Sequence, residues 1–189
     1  DNSGKIAEEY AKKDKRIKFI NQENIGLSGA RNTGLKHAMA DYVMFIDSDD
    51  MIKPTMCEQL YNRITKDNLD VVMCGVDLLF ESEKDKGRQS ESYFNLPNKD
   101  IVPYGIENVD SFACIVCNKI YRRKIIVDHD ICFPVGLKNE DECFSRLYAL
   151  WTKKAGLIQD KLYIYRIRGG SIMGNMLKSN KLENDIFLS

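Results

Sequence analysis

Three carboxylates crowd the end of one apolar run. The stretch is Tyr42-Val43-Met44-Phe45-Ile46-Asp47-Ser48-Asp49-Asp50. Its five apolar residues, rich in β-branched and aromatic types, read as a strand buried on both faces, although a short apolar run also suits a helix segment. In an extended chain Asp47 and Asp49 point to one side and Ser48 to the other. Like charges side by side repel, and no basic residue in the stretch offsets them. A divalent cation would. Open α/β sheets bind ligands just beyond the carboxyl ends of their strands, where these aspartates are expected. The plainer alternative is a polar turn, since Asp and Ser are common turn formers.

A second pair of carboxylates, Glu140 and Asp141, follows Asn139 and opens a run with Phe144, Leu147, Tyr148 and Trp151 at helical spacing. Acidic residues in a first helical turn are favoured by the macrodipole, which explains the pair without any chemistry. A fixed carboxylate at the rim of a site is also what a general base requires. The basic cluster Lys119, Arg122, Arg123 and Lys124 reads first as a solvated helix face, and second as a contact for phosphate or a lipid surface.

The elements that must position these groups alternate. A helix is expected over residues 5–13, with Ile6, Tyr10, Ala7 and Ala11 inward, and a short strand over 16–20. A helix capped by Ser28 and running to about Met39 turns Ala30, Leu35 and Ala38 to the core. After the aspartates, Pro54 suits the first turn of a helix with Met56, Leu60, Tyr61 and Ile64 on one stripe. Residues 70–75 form another apolar strand, extended by Val76, Leu78 and Phe80. This alternation argues for a mostly parallel sheet flanked by helices. Residues 81–100 are polar and unpatterned. Ile106, Val109, Phe112, Ala113, Val116 and Ile120 fall at helical spacing, and two short strands are expected around Leu157-Ile158 and over 162–167.

The chain has 189 residues, enough for one good core. Its 28 basic and 28 acidic residues balance, so nothing in the charge calls for nucleic acid. No apolar run is long enough to span a bilayer, and a cytoplasmic setting is expected, with peripheral contact at a membrane's inner face as an option. The six cysteines, Cys57, Cys74, Cys114, Cys117, Cys132 and Cys143, are read as reduced and mostly buried thiols. Cys114 and Cys117 form a C-x-x-C, but the two histidines, His37 and His129, leave a zinc site short of ligands.

Four motifs together resemble the inverting glycosyltransferases of family 2, which have the GT-A fold. They are Asn24-x-Gly26-x-x-x-Ala30-Arg31-Asn32-x-Gly34, Asp47-Ser48-Asp49-Asp50, Asn139-Glu140-Asp141, and Tyr165-Arg166-x-x-Gly169-x-Ser171. Their flavour is closest to members that build capsular and other surface polysaccharides. The resemblance implies an α/β domain over residues 1–171, with a nucleotide-sugar and metal half at 1–80 and an acceptor half at 101–171, followed by a tail at 172–189. It implies transfer from a nucleotide-sugar, expected to be a UDP-sugar, to a hydroxyl of a saccharide or lipid-linked acceptor. It also implies Asp49 as a ligand of Mn²⁺ or Mg²⁺, with Asp47 on the metal or the ribose. Arg31, Arg166 and Ser171 would then lie on the donor side, and Asp141 would be the base.

Members of that family begin with a strand carrying a Pro-Tyr-Asn type segment and a second strand ending in acidic residues. The sequence starts after both. A sheet without them would expose an edge and an apolar surface, and self-association or poor turnover of the isolated chain is the expectation. A nucleotidyltransferase, which also sets aspartates at a strand end, and a degenerate relative kept for binding are the competing readings.

Overall fold

The computed structural model describes residues 2–81 and 115–167. Its elements are α1 (Ser3–Lys13), α2 (Gly26–His37), β1 (Tyr42–Met44), β2 (Met51–Ile52), α3 (Met56–Lys66), β3 (Val71–Phe80), β4 (Lys119–Arg122), α4 (Arg123–Asp128), α5 (Glu140–Ala149) and β5 (Ala155–Ile167). The five strands make one sheet in the order β1-β4-β3-β5-β2. The longest pairing, β3 with β5, is parallel; β1 with β4, β4 with β3, and β2 with β5 are antiparallel. The sheet is therefore mixed. β1, β3 and β5 share a direction, and β4 and β2 run against it. β3 and β5 also unite the early and late parts of the chain in one sheet.

The core follows from periodicity. Met56, Leu60 and Ile64, at helical spacing on α3, are fully buried against the apolar strand Val71–Cys74. Tyr61, expected on the same stripe, is half exposed and meets Tyr42 edge-on at 5.9 Å between ring centres. Pro54 lies in the turn that precedes α3. On the opposite side Tyr121, Phe133, Phe144 and Tyr148 are buried, and Phe45 meets three of their rings edge-on. Leu147 and Trp151 of the predicted α5 stripe are exposed instead, and Trp151 stacks on His129 at 3.7 Å.

Several expectations needed correction. Residues 17–20 are not a strand: no described strand lies alongside, and Ile17 and Phe19 stay 41% and 38% exposed. Ile6 and Tyr10 of α1 are exposed for the same lack of a described partner. α2 starts two residues before Ser28, after an Asn24 side chain that accepts from the Gly26 N–H at 3.0 Å. Gly26 has φ +77°, a conformation glycine adopts without strain. Ser28, Gly29 and Arg31 are buried on α2, and Ala30, expected inward, is exposed. Ile120 belongs to β4, not to a helix, because pairing with both β1 and β3 overrides its helical spacing. The two short strands expected near the end are one bulged strand, β5.

The basic cluster is not one solvated face either. Lys119 is fully buried and donates to the Ile115 carbonyl and to Asn118 Oδ1. Arg122 reaches Asn68 Oδ1 and the Leu69 carbonyl, Arg123 the Ala40 carbonyl, and Lys124 pairs with Asp128. Among the described cysteines Cys74 and Cys117 are buried, whereas Cys57 and Cys132 are exposed. The expected loop at 81–100, beyond Glu81, the helical spacing at 106–113, Cys114, Ser171 and the tail lie outside the described residues.

Gly75 marks where β5 skips a step. The register passes from Cys74 opposite Ile158 to Gly75 opposite Lys161. A Cβ on Gly75 would sit 2.9 Å from the Gln159 carbonyl oxygen and 3.1 Å from that of Asp160. Backbone atoms cannot move aside cheaply, so Gly75→Ala is expected to destabilise the chain by about 1–3 kcal/mol. The midpoint of urea unfolding checks this; an unchanged midpoint would mean that the bulge is soft.

Candidate active site

The aspartates expected to do chemistry stand where β1 runs out. Phe45 and Ile46 follow outside the strand, and the Asp50 N–H closes a turn on the Asp47 carbonyl at 3.1 Å. Ser48 and Asp49 form that turn, so the alternation expected of an extended chain ends at Asp47. The turn is fastened at its far side. Asp50 accepts from the Tyr163 hydroxyl at 2.5 Å and from the Arg166 N–H at 2.9 Å, both on β5. Burial pushes the Asp50 carboxyl up from its usual range, while those two hydrogen bonds pull the other way.

The near side of the turn faces a buried arginine. Arg31 projects from α2 with its side chain 7% exposed. Its Nη2 lies 2.8 Å from Asp47 Oδ1; its Nη1 lies 3.0 Å from Glu140 Oε1 and also pairs with Asp141 Oδ1. The ring of Phe133 lies under the guanidinium, 5.2 Å from Cζ. Asn32, the next residue on α2, holds the backbone of Phe133 from both ends: Nδ2 donates to the carbonyl at 2.7 Å, and Oδ1 accepts from the N–H at 2.8 Å. Phe133 stacks in turn on Phe144 of α5, 4.1 Å between centres. Two adjacent residues of α2 thus fix the loop and the helix that carry the second pair of acids.

Asp141 has a backbone contact as well, from the Val116 N–H at 3.3 Å. The next residue, Cys117, is buried and donates its thiol to Asp47 Oδ2 at 3.2 Å. Burial, reinforced by the nearby Asp47 and Asp141 carboxylates, pushes that thiol well up, so it stands there as a neutral donor. Burial also pushes Asp141 up, to about 6, against the opposing charge of Arg31. One guanidinium shared among three carboxylates does not cancel them all. Burial would lower Arg31, but Asp141 and Asp47 outweigh it, and its pKa rises.

The structure brings Arg31, Asp47 and Asp141 into direct contact and places Asp49, part-buried, two residues on in the same turn. Arg166 joins the site through its backbone N–H, while its exposed side chain pairs with Glu81. Ser171 lies outside the described residues. Cys117, Asn32, Asp50 and Tyr163 carry contacts that the sequence reading did not assign to them. Asn32 follows Arg31 inside one motif, and Tyr163 shares with Tyr165 an alternating run near the end; Cys117 is buried as its apolar setting predicts, but nothing local pointed to its contact with Asp47. Among the described residues no three His, Cys, Asp or Glu side chains close into a cage for a metal ion. The carboxylates of Asp47 and Asp49 fit a cation such as Mg²⁺, which takes one or two carboxylates from protein and its other ligands from phosphate and water.

Comparison with known proteins bears on the family and the fold. The pattern of the family described as Glycosyl transferase family 2 matches residues 1–129. EpsH of Bacillus subtilis is 38% identical over 182 residues, which are 92% of this chain and 51% of that protein. The glycosyltransferase GlyA of Streptococcus pneumoniae is 35% identical over 182 residues, 91% of this chain and 25% of that protein. The chain therefore spans about half or less of these relatives' length. Among solved structures, S. aureus TarS 1-349 in complex with UDP-GlcNAc superposes with a TM-score of 0.74 at 26% identity, over 92% of this chain and 48% of that one. A mannosyltransferase from Pyrobaculum calidifontis, at 13% identity and a TM-score of 0.60, shares the fold. The α/β architecture is of the GT-A type, and the chain belongs to glycosyl transferase family 2.

Proposed function

We propose that this domain transfers a sugar from a nucleotide-sugar, a UDP-sugar by preference, to an acceptor hydroxyl with inversion, in the synthesis of a surface polysaccharide. The observation that carries this reading is the direct link between Asp141 and Asp47 through Arg31. It sets a carboxylate suited to proton abstraction next to the turn suited to a diphosphate and its cation. The UDP-GlcNAc seen on TarS supports the donor class.

Asp141 accepts the proton of the acceptor hydroxyl as the new C–O bond forms at the anomeric carbon. The bond to the diphosphate breaks on the opposite face. The diphosphate departs without a proton, so one base suffices. Asp49, with Asp47, would hold a Mn²⁺ or Mg²⁺, which would supply positive charge to stabilise the departing diphosphate. Both Asp47 oxygens also engage protein donors, Arg31 and Cys117. Asp50, tied to β5, holds the turn. Arg166 and Ser171 are assigned to the donor side on the strength of their motif. The acceptor is a saccharide or a lipid-linked saccharide. No described helix is long and apolar enough to cross a membrane.

Asp141→Asn keeps the shape of the side chain and removes the base. Transfer is expected to fall by about 10²–10⁴-fold, the usual worth of a general base, with UDP affinity nearly unchanged. Turnover equal to wild type would remove Asp141 from this role. A second consequence concerns pH. A base whose pKa stands at about 6 is protonated below that value. Hence kcat/KM is expected to climb as pH rises through about 6 and then level off. A flat profile from pH 5 to 8, roughly one unit or more to either side, would contradict the assignment.

A further inference from the structure

Arg31 was expected on the donor side, where an arginine meets phosphate. Its surroundings are different. The guanidinium is buried, rests on the Phe133 ring, and directs its nitrogens to the carboxylates of Asp47, Glu140 and Asp141. These acids come from two distant parts of the chain, the end of β1 and the first turn of α5. A cation with that set of partners is held by protein on every side that the described residues show. Its rigid fork is also what two-sided recognition of carboxylates requires, which a lysine cannot reproduce.

We infer that Arg31 is a positioning residue for Asp141: it fixes the direction of that carboxylate and couples it to the Asp47 turn, in place of a contact with the donor. The inference rests on the reading of Asp141 as the base. The coupling follows from geometry, because one planar group bonds both acids at once. A change in how strongly Asp47 holds Arg31 alters what Arg31 offers Asp141. The Cys117 thiol donates to the other oxygen of Asp47 and so helps to hold that carboxylate in place.

The test uses the full chain and the variants Arg31→Gln and Arg31→Lys, with Asp141→Asn to identify the Asp141 resonance. The first readout is the titration of the Asp141 side-chain carboxyl, followed by carbon NMR without any ligand. Removal of the cation in Arg31→Gln is expected to raise that titration by about one unit or more; Arg31→Lys, which keeps charge but loses the fork, moves it less. The second readout is binding of UDP with Mn²⁺ by calorimetry. The third is release of UDP from UDP-GlcNAc with water as acceptor.

The account expects UDP affinity to stay within about threefold and UDP release to slow by about a hundredfold in Arg31→Gln, since small misplacements of a reacting group cost that much. A drop in UDP affinity of about tenfold or more, with the Asp141 titration unmoved, would assign Arg31 to the donor and overturn the inference. If the wild-type chain neither binds UDP nor releases it, the donor reading fails, and the carboxyl titration still decides the coupling. If Arg31→Gln does not fold, Arg31→Lys decides: lost UDP affinity with an unmoved Asp141 titration overturns the inference, and a raised titration at unchanged affinity upholds it.

Discussion

One buried cation organises this site. Arg31 is the point at which the end of β1, the start of α5 and the helix α2 meet, and it does so by sharing a single charge among three carboxylates. Desolvating a charge is costly unless it is paired and hydrogen-bonded, and breaking one side of such a set leaves the others uncompensated. The arrangement is therefore all or nothing. With Arg31 in place the acids can stand close together; without it they repel. Burial of the Asp141 carboxyl, reinforced by the negative charge of Glu140 and Asp47, is the physical reason why it stays basic enough to take a proton near neutral pH.

The scaffold serves that contact. The sheet order puts β4 between β1 and β3, so Val116 and Cys117, just before β4, arrive against Asp141 and Asp47. The aromatic layer of Phe45, Tyr121, Phe133 and Phe144 lies beneath, with ring contacts of 4.1–5.8 Å. Rings at those spacings gain about 0.5–1.5 kcal/mol per pair beyond their burial. Tyr148 extends the layer and bonds the Asp70 carbonyl at 2.7 Å, which ties α5 to the start of β3. Function and stability thus share the same residues, because the plane that packs the core also carries the guanidinium.

Much of this was legible beforehand. The aspartate cluster after an apolar run and the acids opening an amphipathic helix are local patterns; α5 opens at Glu140 as its spacing predicts, whereas β1 ends at Met44 and the aspartates follow in a turn. The family resemblance rested on the same residues. What failed was long-range. Strand direction depends on the partner a strand meets, and Ile120, with helical spacing, was claimed by two neighbours in the sheet. Lys119 reads as surface yet lies buried, because Asn118 and the Ile115 carbonyl receive its ammonium. The contact of Arg31 with Asp141 spans 110 positions, a separation at which no periodic pattern reports proximity. Spacing identified the chemical groups; only packing showed which of them touch.

The most direct measurement is a thermal-shift screen of UDP and other nucleotides, with and without Mn²⁺, on the wild-type chain and on Asp49→Ala. Ligands that bind the native state raise its unfolding temperature by mass action. The account predicts a shift with UDP that requires the metal and is lost in Asp49→Ala. A metal-independent shift that survives in Asp49→Ala, or no shift with any nucleotide, would contradict it.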